Sequence, residues 1–247
     1  MKNLWKYVIV SVAVIVSAIV LSMAYTEKHR TQSGTITVTG LGETEFTSDL
    51  IVIKGSISSH HEDASVSYAK MQQDRKKLVD FLVAKGVSVD EISFSMPSTQ
   101  SVETSNYVNG EWAGYVFSHY SSVQPFVIES SNVDVVERAS RELPSLIAEG
   151  INISVSEPMY YFSKLDDVKL DLLSSAAADA RDRAMNIAQS SQSKLGELKL
   201  SRAGVFQITA ATGDEEFSAG GSFNLSSREK KARVTVRAEY KIKHKAK

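Results

Sequence analysis

Three groupings in this chain have the residue types that chemistry needs. His60-His61-Glu62-Asp63 offers imidazoles and carboxylates of the kind that hold a divalent metal. Ser118-His119-Tyr120 sets a hydroxyl beside an imidazole, as a nucleophile and its base would be. Gly40-Leu41-Gly42 follows an alternating apolar run, the place where a phosphate-cradling turn begins.

Each grouping has a plainer reading. Neighbouring strand residues point to opposite faces, so His60 and His61 do not share one ion easily, and HExxH spacing is absent. Glu62 and Asp63 instead suit the positive end of a following helix. No Gly-x-Ser-x-Gly turn surrounds Ser118, so a triad through His119 has no positioning device. A phosphate turn needs a helix after its glycines, whereas Phe46, Leu50, Ile51, Val52, Ile53 and Ile57 continue as strand. Gly40 and Gly42 therefore read as a bend between two strands. With no cysteine in the chain, thiolate catalysis, disulfides and Cys-based zinc drop out. The expectation is a protein that is not an enzyme and has no catalytic residue, cofactor or metal. A hydrolase working through His119 or the His60/His61 region is the alternative.

Binding chemistry is better represented. Between Arg228 and Lys247 nine Lys/Arg face only Glu229 and Glu239, and Arg233, Arg237, Lys241 and Lys243 fall on the polar side of a strictly alternating segment. Such a strand reads as a sheet edge. Its cations either discourage edge-to-edge aggregation or form a stripe for anionic lipid, an acidic envelope polymer or an acidic patch on another subunit. The stretch Thr212 to Lys231 is rich in Gly and Ser and long for a hairpin loop, and it carries Phe217, Phe223 and Leu225. These aromatics either anchor a partner or fold back. Arg233, Arg237, Lys241, Lys243, Phe217 and Phe223 are thus the candidate interaction surface. The formal charge of −1 becomes −3 once Lys2 and Lys6 are set aside, which gives no general pull toward nucleic acid.

The elements that must position these residues are legible from periodicity. Ala64, Tyr68, Met71, Leu78 and Leu82 recur at helical spacing, and Gly86 closes that helix. Ile92 to Gln100 reads as a strand with Pro97 near an end, and Asn109-Gly110 is a hairpin turn between two longer strands. Ser131-Asn132 caps a helix to Glu149 in which Pro144 makes a kink or starts a second short helix. Ile151, Ile153 and Val155 alternate as a strand. A long helix from about Asp166 to Ser193 is studded with Ala176, Ala177, Ala178, Ala180, Ala184 and Ala188, a small-residue face that can approach a sheet closely. Leu198 to Thr209 and the basic segment are the last strands. The order β-β-α-β-β-α-β-α-β-β has a split-βαβ centre and predicts an α+β fold, a largely antiparallel sheet with helices mainly on one face.

Residues 1 to 25 stand apart. Tyr7 to Ala24 is uncharged, and as a helix it would reach ~27 Å, close to the hydrocarbon thickness of a bilayer. Its apolar run exceeds a signal-peptide core of about 7–15 residues, so a retained transmembrane anchor is preferred. Cleavage after Ser22-Met23-Ala24 is the alternative. Residues 26 to 34 then form a polar tether and 35 to 247 the domain. The expected location is the inner membrane with the domain on the periplasmic side, or the periplasm after cleavage at Ala24.

Ile36-Thr37-Val38-Thr39-Gly40-Leu41-Gly42 with Asp49, Gly114-Tyr115, and Asp179-Ala180-Arg181 with Ala184, Ala188 and Leu195-Gly196 occur in an order that resembles the SIMPL-domain family. Its members are mostly bacterial envelope proteins, long described as a domain of unknown function. They usually carry Pro-Asp where this chain has Ser48-Asp49. The resemblance covers about Thr35 to Lys243 and implies an α+β fold, an extracytoplasmic setting and a tendency to assemble; it implies no catalytic residues. The expected function is a non-enzymatic, envelope-anchored binding or assembly module. Its expected partners are the membrane, copies of itself and an anionic envelope component, with no nucleic acid. A carrier of a small apolar ligand between sheet and helices is a further alternative.

Overall fold

A computed structural model describes residues 11–23, 34–212 and 218–244, with the side chains of 243 and 244 excepted. Residues 11–23 are helical (α1). Among the described residues no helix is long and apolar enough to cross a membrane. The expected span, Tyr7 to Ala24, extends beyond the described residues at both ends, and of the tether only Gly34 is described.

The remaining elements divide between two compact units, one of Met1–Glu43, Leu170–Val205 and Val234–Lys247, the other of Thr44–Lys169 and Phe206–Arg233. The architecture is α+β, with two mostly antiparallel sheets where the sequence suggested one.

The larger unit holds β2 (Leu50–His61), α2 (Ala64–Ala84), β3 (Ile92–Phe94), β4 (Ser98–Val108), β5 (Glu111–Ser130), α3 (Val133–Glu142), β6 (Asn152–Val155) and β7 (Met159–Tyr161). Asp63 caps α2, its side chain accepting from the Ser65 and Val66 N–H groups. The buried stripe of this helix is Ser67, Met71, Asp74, Leu78 and Leu82, while Tyr68, expected inside, is exposed. Pro97 lies between β3 and β4, since proline cannot donate to a ladder, and Pro144 begins a 3-10 turn after α3. The sheet order β3-β5-β2-β6 is that of a split βαβ unit. Ile51, Ile53, Ile57, Phe126 and Ile128 from the strands meet Met71, Leu78, Leu82, Val136 and Ala139 from the helices in one core. Both helices therefore cover the same face of this sheet.

The smaller unit is built from β1 (Thr35–Thr47), α4 (Leu165–Ser190), β8 (Ser193–Ala203) and β11 (Glu229–His244), with the unit boundary falling inside β1, α4 and β11. Here β11 runs between β1 and β8. In the larger unit its first residues, Lys230 to Arg233, pair with β9 (Gln207–Ala210), on which β10 (Ser222–Phe223) lies parallel. One strand was expected over Leu198 to Thr209, but the chain breaks into β8 and β9.

No bend occurs at Gly40-Leu41-Gly42. β1 continues straight through both glycines, and the turn comes at Ser48-Asp49. The glycines serve close approach instead. A Cβ on Gly40 would stand 2.2 Å from the Ala176 carbonyl oxygen and 2.4 Å from the Ala180 nitrogen, and one on Gly42 would stand 2.3 Å from the Leu172 oxygen. Helix α4 thus lies backbone to backbone on β1, presenting Leu172, Ala176, Ala180, Ala184 and Ala188, one residue per turn. Ile36, Val38, Ala238 and Tyr240 complete this core.

Candidate functional site

The predicted basic stripe does not lie on a sheet edge. β11 has β1 on one side and β8 or β9 on the other, so both the edge-protection account and the picture of a basic rim are corrected. Alternation had shown which face each residue takes; it carries no information about a strand's neighbours. Ala232, Val234, Val236, Ala238 and Tyr240 do point inward, buried as expected. On the opposite face Arg237 is exposed, and Lys241 pairs with Glu197 at 3.2 Å. Arg233 is half-buried and stands opposite Gln207 in the register. Lys243 is described only as a backbone position of β11.

The Gly/Ser loop splits along the same question. Phe217 lies outside the described residues, and Phe223 is about half exposed in β10. Around it the loop is tied down. Gln207, itself buried, donates to the Ser218 carbonyl at 2.7 Å and accepts from the Ser222 hydroxyl at 2.8 Å. The fully buried Lys230 ammonium donates to the carbonyls of Asn224 and Ser227, each at 2.6 Å. A buried lysine held by two carbonyls is not legible in the sequence, because these two partners are backbone groups that no side-chain pattern reveals.

Pairing of β2 with β5 brings two of the candidate histidines together: the rings of His60 and His119 meet edge to face with centroids 5.0 Å apart. The Ser118 hydroxyl lies 3.0 Å from His119 Nδ1, and the side-chain amide of Asn152 lies 3.4 Å from His60 Nε2. His61 is elsewhere employed, its Nδ1 accepting from the Asp63 N–H at 2.9 Å. Among the described residues no group of three or more His, Cys, Asp or Glu is placed to hold a metal ion.

The motif residues behind the family resemblance are structural braces. Asp179 on α4 accepts the Leu41 N–H at 2.8 Å and Arg183 at 2.8 Å, and the Arg183 guanidinium, then that N–H, hold its carboxyl below the usual range. Asp49 accepts both the N–H and the hydroxyl of Ser163, at 2.7 and 2.5 Å. Gly196 packs against the Lys241 carbonyl. Gly114, with φ of 100°, sits in an irregularity of β5.

That irregularity creates a surface the sequence reading missed. The Asn109-Gly110 turn, with φ of 52° and 85°, closes a two-stranded arm in which β4 pairs with the first half of β5. Strict alternation would scatter Trp112, Tyr115, Phe117 and Tyr120 over both faces. Two register shifts, between Ser105/Tyr107 and between Val102/Glu103, reset the alternation. Following the partners Tyr107, Ser105, Glu103 and Ser101 along β4 places all four aromatics, and Tyr107, on one face. The ring contacts agree: Trp112 meets Tyr115 at 5.9 Å and Phe117 meets Tyr120 at 5.1 Å. Ser122 lies on this same face, and its hydroxyl accepts from Ser67 in the first turn of α2 at 2.9 Å. The aromatic face is therefore the core face of the sheet, continued beyond the point where α2 begins. Tyr107, Trp112, Tyr115 and Phe117 remain 64, 59, 66 and 48% exposed. The three-residue spacing around a glycine was the available signal.

Among the described residues of the smaller unit, two clefts flank its sheet. One, of about 590 Å³, runs between α4 and β8 past Arg181, Met185, Leu195, Leu198 and Tyr240; Met185 and Leu198 are exposed, so it is an open groove and not a closed cavity. The other, of about 270 Å³, lies on the opposite face of the sheet among Thr37, Leu200, Arg202, Arg237 and Glu239.

Comparison with known families agrees with the motif reading. The sequence model of the SIMPL family, described as a protein of unknown function (DUF541), matches residues 36–240, and the chain belongs to that family. No curated protein matches the chain.

Proposed function

Taking SIMPL membership as the premise, we propose that the chain is a non-enzymatic assembly module of the cell envelope, anchored by its N-terminal apolar segment with the domain in the periplasm. The observation that carries this reading is the bare aromatic face of the β4–β5 arm. A two-stranded ribbon without a third strand or a covering helix is marginally stable in water, so large apolar side chains on it call for a cover.

A second copy of the chain fits that role. An aromatic side chain buries about 150–250 Å², so four residues exposed by half to two-thirds offer roughly 500 Å² per chain. Two copies then bury about 1,000 Å², the lower bound for a specific interface. Between Ser98 and Tyr120 the charged residues are Glu103 and Glu111, without a single Lys or Arg, so the arm has no attraction for anionic lipid or nucleic acid. Tethering copies in one membrane plane raises their effective concentration and populates such contacts.

Sedimentation of the full chain in detergent tests the reading. The expected result is a concentration-dependent oligomer that Trp112→Ser with Tyr115→Ser returns to monomer. A strictly monomeric wild type, or an oligomer indifferent to both substitutions, overturns it. The competing hydrolase reading rests on the Ser118 and His119 contact at 3.0 Å, and it predicts loss of an activity in His119→Ala.

A further inference from the structure

Arg237 on β11 and Arg202 on β8 stand directly opposite one another in the register, on the solvent face of the smaller unit's sheet. Like charges so placed across a strand pair destabilise it. No ion pair joins either guanidinium to a carboxylate among the described residues. Glu239, the one acid among the described residues lining their cleft, is already engaged by Lys199 at 2.9 Å. The Lys199 ammonium, then the Thr35 hydroxyl, hold its carboxyl below the usual range, with a weaker pull from Arg237, so it stays ionised and hydrogen-bonded to Lys199. Arg202, Arg237 and Lys199 against Glu239 leave a local excess of two positive charges.

The cleft between the arginines has the shape and lining of a small-anion site. Its volume is about 270 Å³, and three neighbouring strands contribute to it: Thr37 from β1, Arg237 and Glu239 from β11, Leu200 and Arg202 from β8. Two guanidiniums and a hydroxyl supply donors around an oxyanion, and guanidinium forks match phosphate oxygens two at a time. Beside them Leu200 is 45% exposed, an apolar shoulder next to the charge. The geometry points to a phosphate-binding site formed by Arg202, Arg237 and Thr37, which takes a phosphate group either free or borne by a lipid headgroup. The site goes beyond the assembly reading and does not depend on it, because it uses none of the arm residues.

Arg237 is legible in the sequence and Arg202 is not, because its partner across the ladder is set by the register shifts of β8 against β11 between Glu239/Tyr240 and Tyr240/Ile242.

The test titrates the full chain in neutral detergent with three probes: inorganic phosphate, glycerophosphoglycerol, and micelles doped with phosphatidylglycerol or, as control, phosphatidylcholine. Wild type is expected to bind at least one phosphate probe and to lose about tenfold or more in affinity in Arg202→Gln with Arg237→Gln, as removal of charge-assisted hydrogen bonds implies. Tighter binding to phosphatidylglycerol micelles than to either soluble probe assigns the site to lipid headgroups; equal or tighter binding of inorganic phosphate assigns it to the free ion. A second readout is thermal. In phosphate-free, low-salt buffer the Arg202→Gln single variant should melt higher than wild type, since the opposed charges are relieved, and phosphate should raise the wild-type Tm alone. Absence of binding by wild type to every probe, or unchanged affinity in the double variant, overturns the proposal.

Discussion

Strand β1 at Gly40 and strand β5 at Trp112 pose opposite solutions to one problem. On β1 the side chains have been removed so that α4 can descend until backbone touches backbone. On β5 they are among the largest available, and the helical layer stops short of them at Ser67 and Ser122. The first surface is finished within the chain. The second carries apolar area that the described residues leave uncovered. Small residues here mark a contact already made, and large ones a contact still open.

The sharpest way to break this contrast is to put a side chain where none fits. Gly40→Val should cost about 3 kcal/mol or more, because its neighbours are helix backbone that cannot rotate aside, and urea unfolding followed by circular dichroism measures it. Wild-type stability in that variant would mean that α4 is not seated as described. Next in size is Gly110→Val at the arm's turn. Left-handed φ costs an L residue about 1–2 kcal/mol, and hydrogen exchange should show the loss confined to the β4–β5 amides. Replacing Trp112 and Tyr115 by serine should change monomer unfolding by no more than about 0.5 kcal/mol, as expected of exposed positions, while sedimentation shows the oligomer gone. A large loss of monomer stability would instead make the arm part of the folded core.

The smallest effect is electrostatic. Asp179 has a carboxyl depressed in the folded chain, so its contribution is complete above the ordinary carboxylate range and is lost as pH falls through the depressed value. Stability curves of wild type and Asp179→Asn should therefore separate near neutrality and converge below about pH 4. Curves that stay parallel into acid would assign the bond no role.

What the sequence disclosed follows from which interactions are local. Asn109-Gly110, the alternation of β11, the helix stop at Gly86 and the order of the split βαβ unit rest on neighbours a few residues apart, and all appear as expected. Gly40 and Gly42 were assigned correctly as structural, yet for a bend, since close approach by a helix about 140 positions later leaves no local trace. Pro97 and the chain near Gly204 break what read as single strands. For the candidate surface, Arg237 and Lys241 were legible as solvent-facing, whereas their place on a central strand was not. The aromatic arm escaped because bulges convert a scattered pattern into a single face.

The alanines of α4 repeat every fourth residue, so each successive turn looks nearly alike to the strand beneath it. Packing alone hardly distinguishes the observed alignment from one displaced by a turn, a slip of about 5.4 Å of the kind that packed elements can undergo. Asp179 has no equivalent one turn away: Ser175 precedes it and Arg183 follows. Its bond to the Leu41 amide acts as a detent, a solitary notch on an otherwise uniform rail.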